Sequence, residues 1–245
     1  MFVAPEYRGA HGLNTVQWYM AGRIAPLGEV SADLACAVLG TFNPRRVHAG
    51  IDGVWSIVSA RQMVSLKLDS VEPVLAKAIH DSAAVDRAVE LLGAALRAAP
   101  LAGAPLFAAL SVLRPPATGR LRLWRLCDMM REHRSDAHTS AWRSAGLDPC
   151  EINVLNEAWR NVPIGEISHV LMDWDAADTD AALERLQAVG LIDGRTISPA
   201  GIELRESIEL QTSVQQGEIV AAIGDDAGEL LDLLDPWAHT IAGWQ

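Results

Sequence analysis

The chain has 245 residues, half of them apolar and 21% charged, and its 31 Asp and Glu against 20 Lys and Arg leave a formal charge of −11. This composition excludes a disordered tail or a fibre, and the negative balance excludes a general attraction to nucleic acid or anionic lipid, so a bound anion has to meet a local cationic site. Cys36, Cys127 and Cys150 form no CxxC and are odd in number, residues 1–13 carry no basic leader, and the apolar stretch 88–113 is broken by Glu90, Arg97, Pro100 and Pro105, all of which predicts a cytoplasmic protein with no membrane span.

In chain order, Trp18 to Arg23 ends a first helix before a Pro26-Leu27-Gly28 turn, and Asn43-Pro44 opens a capped helix that carries Arg45, Arg46 and His48. Arg114-Pro115-Pro116-Ala117-Thr118-Gly119 is the strongest linker signal. A long helix is predicted over 120–142. Thr179-Asp180 reads as the N-cap of a helix over 181–189, which Gly190 stops. Leu191-Ile192 and Thr196-Ile197 flank Asp193-Gly194-Arg195 as two short strands, and a helix follows over 199–216.

The chain also repeats itself. Arg23, Pro26, Leu27, Gly28, Glu29, Val30 and Ser31 match Arg160, Pro163, Ile164, Gly165, Glu166, Ile167 and Ser168 at one offset, which then carries Gly53-Val54-Trp55 onto Gly190-Leu191-Ile192. With small shifts, Tyr7-Arg8 pairs with Trp142-Arg143 and Gly12-Leu13-Asn14 with Gly146-Leu147-Asp148. The fold class expected is mainly α: two degenerate winged helix-turn-helix repeats, with a short β-wing only in the second half. The expected domains are residues 1–114 and 120–245, joined by a linker at 115–119.

A winged helix-turn-helix reads DNA with Arg, Lys, Asn or Gln on its second helix. Here residues 148–194 hold ten carboxylates against Arg160 and Arg185, and four of the ten are Asp173, Asp175, Asp178 and Asp180, where a reading helix would begin. Like charge would repel phosphate, so DNA is not the expected partner. The bland reading of this run is a solvated surface or a face for a basic protein. The first half is less hostile, since Arg45, Arg46 and His48 stand on its matching helix.

The densest polar signal is Arg131-Glu132-His133-Arg134-Ser135-Asp136-Ala137-His138. Leu123, Leu126, Met130, His133 and Ala137 recur at three and four, which turns His133 toward the core, with Asp136 one turn on and Arg134 and His138 as an adjacent pair. His133 oriented by Asp136 suits acid/base catalysis, and Arg131, Arg134, His138, Arg23 and Asn43 are candidate ligand-binding groups for an anionic small molecule. The alternative is a buried polar network with Arg131, Glu132 and Arg134 as surface charges. No metal site is expected, because His133 and His138 are five apart and point to different faces. No GxSxG, GxGxxG or P-loop is present, so no cofactor is expected.

Residues 183–192 resemble the equivalent stretch of MarR-type regulators. Phe2 to Glu6, Trp18 to Gly28, Phe42 to Pro44 and Met130 to His138 resemble the motifs of an actinobacterial helix-turn-helix family of unknown function, including a Leu-Arg-Glu-His-Arg-Gly-Asp-Gly-His-like segment in which Ser135 and Ala137 stand for glycines. That family has a further helix before the segment at Phe2, which implies a homodimeric or heterodimeric partner completing a pocket. Its loose association with natural-product biosynthesis, including aziridine-forming enzyme pairs, implies a cofactor-free elimination or cyclisation on an anionic intermediate. The alternatives are a ligand-responsive MarR-like transcriptional regulator and a non-catalytic subunit of a heteromer.

Overall fold

The computed structural model describes residues 11–243; Phe2 to Glu6 and the Tyr7-Arg8 pair lie outside the described residues. In chain order the helices are α1 (Thr15–Ile24), α2 (Ala32–Val38), α3 (Pro44–Ile51), α4 (Ala60–Ala78), α5 (Ser82–Leu96), α6 (Pro105–Ser111), α7 (Gly119–Ser144), α8 (Pro149–Trp159), α9 (Ala176–Ala188), α10 (Pro199–Val214), α11 (Gly217–Ile223) and α12 (Ala227–Ala242). Strands β1 (Ile192–Asp193) and β2 (Thr196–Ile197) pair antiparallel, Ile192 opposite Ile197 and Asp193 opposite Thr196. The chain is thus mainly helical, with one small hairpin.

Local sequence chemistry sets these boundaries. Asn14, Ser59, Asp148 and Asp175 each close a capping box, accepting from a backbone N–H of the first turn while the residue three on returns a bond. The helix expected behind Thr179-Asp180 therefore begins five residues earlier than its predicted start at Ala181. Asp175 is the better cap, because Asp178 answers it at the third position. Gly28 and Gly165 adopt φ of +90° and +103°, and Gly53 and Gly190 adopt +75° and +76°. The members of each pair stand at one constant sequence offset, in a conformation that favours glycine.

The chain packs as two compact units, each assembled from separated stretches. The first takes the residues up to Val30, Gly53–Arg134 and those from Gln216 on; the second takes Ser31–Asp52 and Ser135–Gln215. Packing therefore divides the chain elsewhere than at the 115–119 join. That join does interrupt helical structure, but it lies inside the first unit. Residues of α7 through Arg134 count with the first unit and those from Ser135 with the second. One continuous helix thus supplies core residues to both.

In the first unit, α5 packs against α11 and α12, and α1 and α4 pack on each other. Val71, Leu75, Leu92, Phe107, Leu123 and Ile219 form its core. In the second, α8 packs on α9 and α10, and α2 on α3. Trp142, Ile152, Leu155, Leu186 and Ile208 are the buried centre. Burying each such side chain contributes roughly 1.5–3 kcal/mol.

Candidate functional site

The first part of α7 carries two buried stripes. The expected apolar stripe places Leu123 and His133 in the interior. A second stripe, Arg125, Asp128, Met129 and Glu132, recurs at the same helical spacing and is equally buried. Glu132, read from sequence as a possible surface charge, is 1% exposed.

This second stripe organises a buried ion network in the first unit. The Arg23 guanidinium donates from Nε and Nη2 to the two Glu132 oxygens at 3.1 and 2.6 Å. Arg131 bridges, with Nη2 at 2.6 Å from both Asp128 Oδ1 and Glu132 Oε1. Lys67 Nζ closes the chain on Asp128 Oδ2 at 2.8 Å. Burial works against charge on both sides, but the ion pairs win. Arg23 is held above its ordinary value by Glu132, and the Asp128 carboxyl is lowered to about 2 by Lys67 and Arg131. Arg23 and Arg131 thus hold carboxylates of their own chain, and the anion-binding role expected of them is occupied from within.

His133 is 4% exposed, and its Nδ1 lies 2.8 Å from Oε1 of Gln216. The Phe107 ring meets the imidazole edge-on, with centroids 5.0 Å apart. Asp136, the residue expected to orient His133, belongs with the second unit, as do His138 and Asn43. His138 Nε2 stands 3.8 Å from Glu209, which also receives Arg205 Nη1. Of the seven expected site residues, the structure groups Arg23, Arg131, His133 and Arg134 in one unit and Asn43, Asp136 and His138 in the other.

Asn43 caps α3, accepting from Arg45 N at 2.9 Å and donating through Nδ2 to Asp173 O at 2.9 Å. It is 1% exposed, so the ligand-facing amide read from sequence is a structural one. The cations of α3 are committed as well. Arg45 Nη2 lies 2.6 Å from Asp178 Oδ2 and 3.1 Å from Asp175 Oδ2, and Arg46 lies 3.4 Å from Asp173. His48 stands between Asp33 and Asp52 and is raised above its ordinary value, chiefly by its hydrogen bond to Asp52. Much of the acidic run read as a solvated face or a partner's docking surface is therefore met by α3 of the same chain.

A hollow opens elsewhere in the first unit. Between α5, α6, the 115–116 turn and α7 lies a cavity of about 590 Å³, within the range of small-molecule sites. Leu96, Phe107, Leu110, Leu126 and Met129 supply apolar walls. Arg97, Arg122 and Arg125 line it, and no carboxylate does. Arg97 and Arg122 are exposed, and Arg122 donates to the carbonyls of Pro116 and Ala117. Arg125 is 7% exposed, and its Nη1 is buried with no hydrogen-bond partner among the described residues. Arg125 is not among the site residues expected from sequence. The signal was there: an arginine flanked by Leu123-Trp124 and Leu126-Cys127, in register with Asp128 and Glu132.

The whole chain, residues 2–244, matches the sequence profile of a helix-turn-helix family. The protein belongs to that family. Nothing among curated proteins or solved structures matches it. Among the described residues no helix is long and apolar enough to cross a membrane, and no group of three or more His, Cys, Asp and Glu stands close enough to hold a metal ion.

Proposed function

We propose that this helix-turn-helix family protein is a receptor for a small, largely apolar molecule, which the first unit takes up in the cavity between α5, α6 and α7. The observation that carries this reading is the cavity itself: about 590 Å³, walled by side chains of a packed core. Gly93 supports it. A glycine inside a helix costs about 1 kcal/mol relative to alanine, yet a Cβ at Gly93 would meet only Leu126 and Arg97, at 3.7 and 3.9 Å. Neither its backbone nor its neighbours demand glycine. What a side chain there would fill is the cavity it lines.

Two features favour a scaffold turned from operator reading to binding. The paired left-handed glycines at Gly28/Gly165 and Gly53/Gly190 support a duplicated, MarR-like winged-helix ancestry. In the present chain α3 spends its cations on Asp173, Asp175 and Asp178, which leaves little positive surface for phosphate. The elimination or cyclisation expected of His133 and Asp136 forms no part of this proposal, because the cations that would hold its anionic intermediate, Arg23 and Arg131, are bound to Glu132 and Asp128.

The test is titration with the neutral fluorophore N-phenyl-1-naphthylamine. The expected result is saturable binding at one molecule per chain, abolished in Gly93→Leu while cooperative unfolding is retained. An absence of saturable binding, or binding that Gly93→Leu leaves untouched, refutes the receptor reading.

A further inference from the structure

We infer that the guest of this cavity is an organic acid, an apolar body with one anionic head group, and that Arg125 receives the head. The inference rests on the receptor reading and names the chemical class that the site takes.

The argument is one of uncompensated charge. Burying a guanidinium is costly unless it is paired and hydrogen-bonded. Every other cation of the network has a partner: Arg23 has Glu132, Lys67 has Asp128, and Arg131 has both. Arg125 lies one turn before Asp128, but the two Asp128 oxygens are already taken by Lys67 and Arg131 at 2.8 and 2.6 Å. Four cations thus share two carboxylates. The surplus falls on Arg125, whose Nη1 is buried without an acceptor and whose affinity for its proton is lowered by burial.

The residue that carries this surplus is one of those that line the hollow. Arg125 lines the cavity beside Leu126 and Met129, with Arg97 and Arg122 as the other two charged groups of the lining. An anion entering between these apolar walls meets only positive charge. Arg125 adds a planar guanidinium, whose donor fork is suited to a carboxylate or sulfonate. A polar neutral guest would leave the charge unmatched, and a cation would be repelled. The walls offer few other polar groups, so the remainder of the guest has to be apolar.

The experiment compares two probes that share one ring skeleton. 8-Anilinonaphthalene-1-sulfonate carries an anionic head, and N-phenyl-1-naphthylamine lacks it. The wild type is expected to bind the sulfonate more tightly. Arg125→Met should weaken the sulfonate roughly ten- to a hundredfold, the loss of a charge-assisted bond, and leave the neutral probe within about twofold. Arg125→Lys, which keeps the charge and loses the fork, should fall between. A further readout is the free protein's Tm, which Arg125→Met should leave equal or raise, since an unpaired buried charge is removed.

Equal weakening of both probes, or unchanged sulfonate binding in Arg125→Met and Arg125→Lys, overturns the inference. In that case binding of the neutral probe that Gly93→Leu still blocks keeps the receptor reading intact. Neutral-probe binding that is absent, or indifferent to Gly93→Leu, removes the receptor reading and this inference with it.

Discussion

Asp178, the residue that completes the capping box of α9, receives the Arg45 guanidinium of α3 at 2.6 Å. Helices α3 and α9, far apart in sequence, therefore meet through charge. The acidic start of one is matched by the basic start of the other, and Asn43 ties them again through the Asp173 carbonyl. A helix that reads a major groove keeps its cations and amides for base edges and phosphates. On α3 these groups are engaged at home.

From this follows an expected failure to bind DNA. In a gel shift at moderate salt, duplex fragments should run free in the presence of the wild type. The triple variant Asp173→Asn, Asp175→Asn, Asp178→Asn releases Arg45 and Arg46 and should gain weak, sequence-independent retardation that vanishes as salt rises. Firm retardation by the wild type, with a steep salt slope lost in Arg45→Ala, would refute this account of α3.

Glu132 should be among the most sensitive positions of the first unit. Its carboxylate is 1% exposed and holds both Arg23 and Arg131. Glu132→Ala leaves the buried Arg23 guanidinium without its anion, a loss of roughly 3–5 kcal/mol. Chemical denaturation checks the figure, with the double variant Arg23→Met, Glu132→Leu recovering much of it because both charges then leave together. A Glu132→Ala midpoint equal to that of the wild type would mean that the network does not hold the unit.

Asp128 sets the acid limit. Its carboxyl is depressed to about 2 by Lys67 and Arg131, against the work of burial. A depressed carboxylate contributes stability that is complete above its unfolded value of about 4 and is lost as pH falls through the folded one. The contribution amounts to about 2 kcal/mol. Unfolding free energy should accordingly drop between roughly pH 5 and pH 2, and Asp128→Asn should flatten the drop while lowering stability at neutral pH. An unchanged acid slope in that variant would sink the assignment.

Much of the fold was legible from sequence, and the reason is local chemistry. Caps, Pro-Gly punctuation and helical spacing mark α7, the β-hairpin at Asp193-Gly194 and α10 within a few residues, because these signals act within a turn of where they stand. The units were not legible. Helices α2 and α3 belong with the second half of the chain and α11 and α12 with the first unit, a pairing made by long-range contacts that no window of sequence carries. The candidate site divided in the same way. The buried place of His133 followed from its stripe, whereas Arg125 and Glu132 look like ordinary helix-surface charges until their neighbours are known.

Glu157 shows the same limit and supplies the sharpest test of the second unit. By sequence it counts as one more carboxylate in an acidic run. In the structure it is fully buried, and its oxygens accept from the backbone N–H groups of Gly165, Ile167 and Ser168 at 3.0, 2.6 and 2.7 Å, and from the Ser168 hydroxyl at 3.1 Å. One side chain of α8 thus organises the whole turn that leads toward α9. Glu157→Gln keeps the shape but replaces an acceptor oxygen by a donor that faces N–H groups, and should cost roughly 3 kcal/mol. Because the turn is held by this carboxylate and not by a hydrophobic core of its own, hydrogen exchange at Ile167 and Ser168 should accelerate well before the rest of the unit responds. If those amides stay as protected in Glu157→Gln as in the wild type, the turn is held by something other than the buried carboxylate.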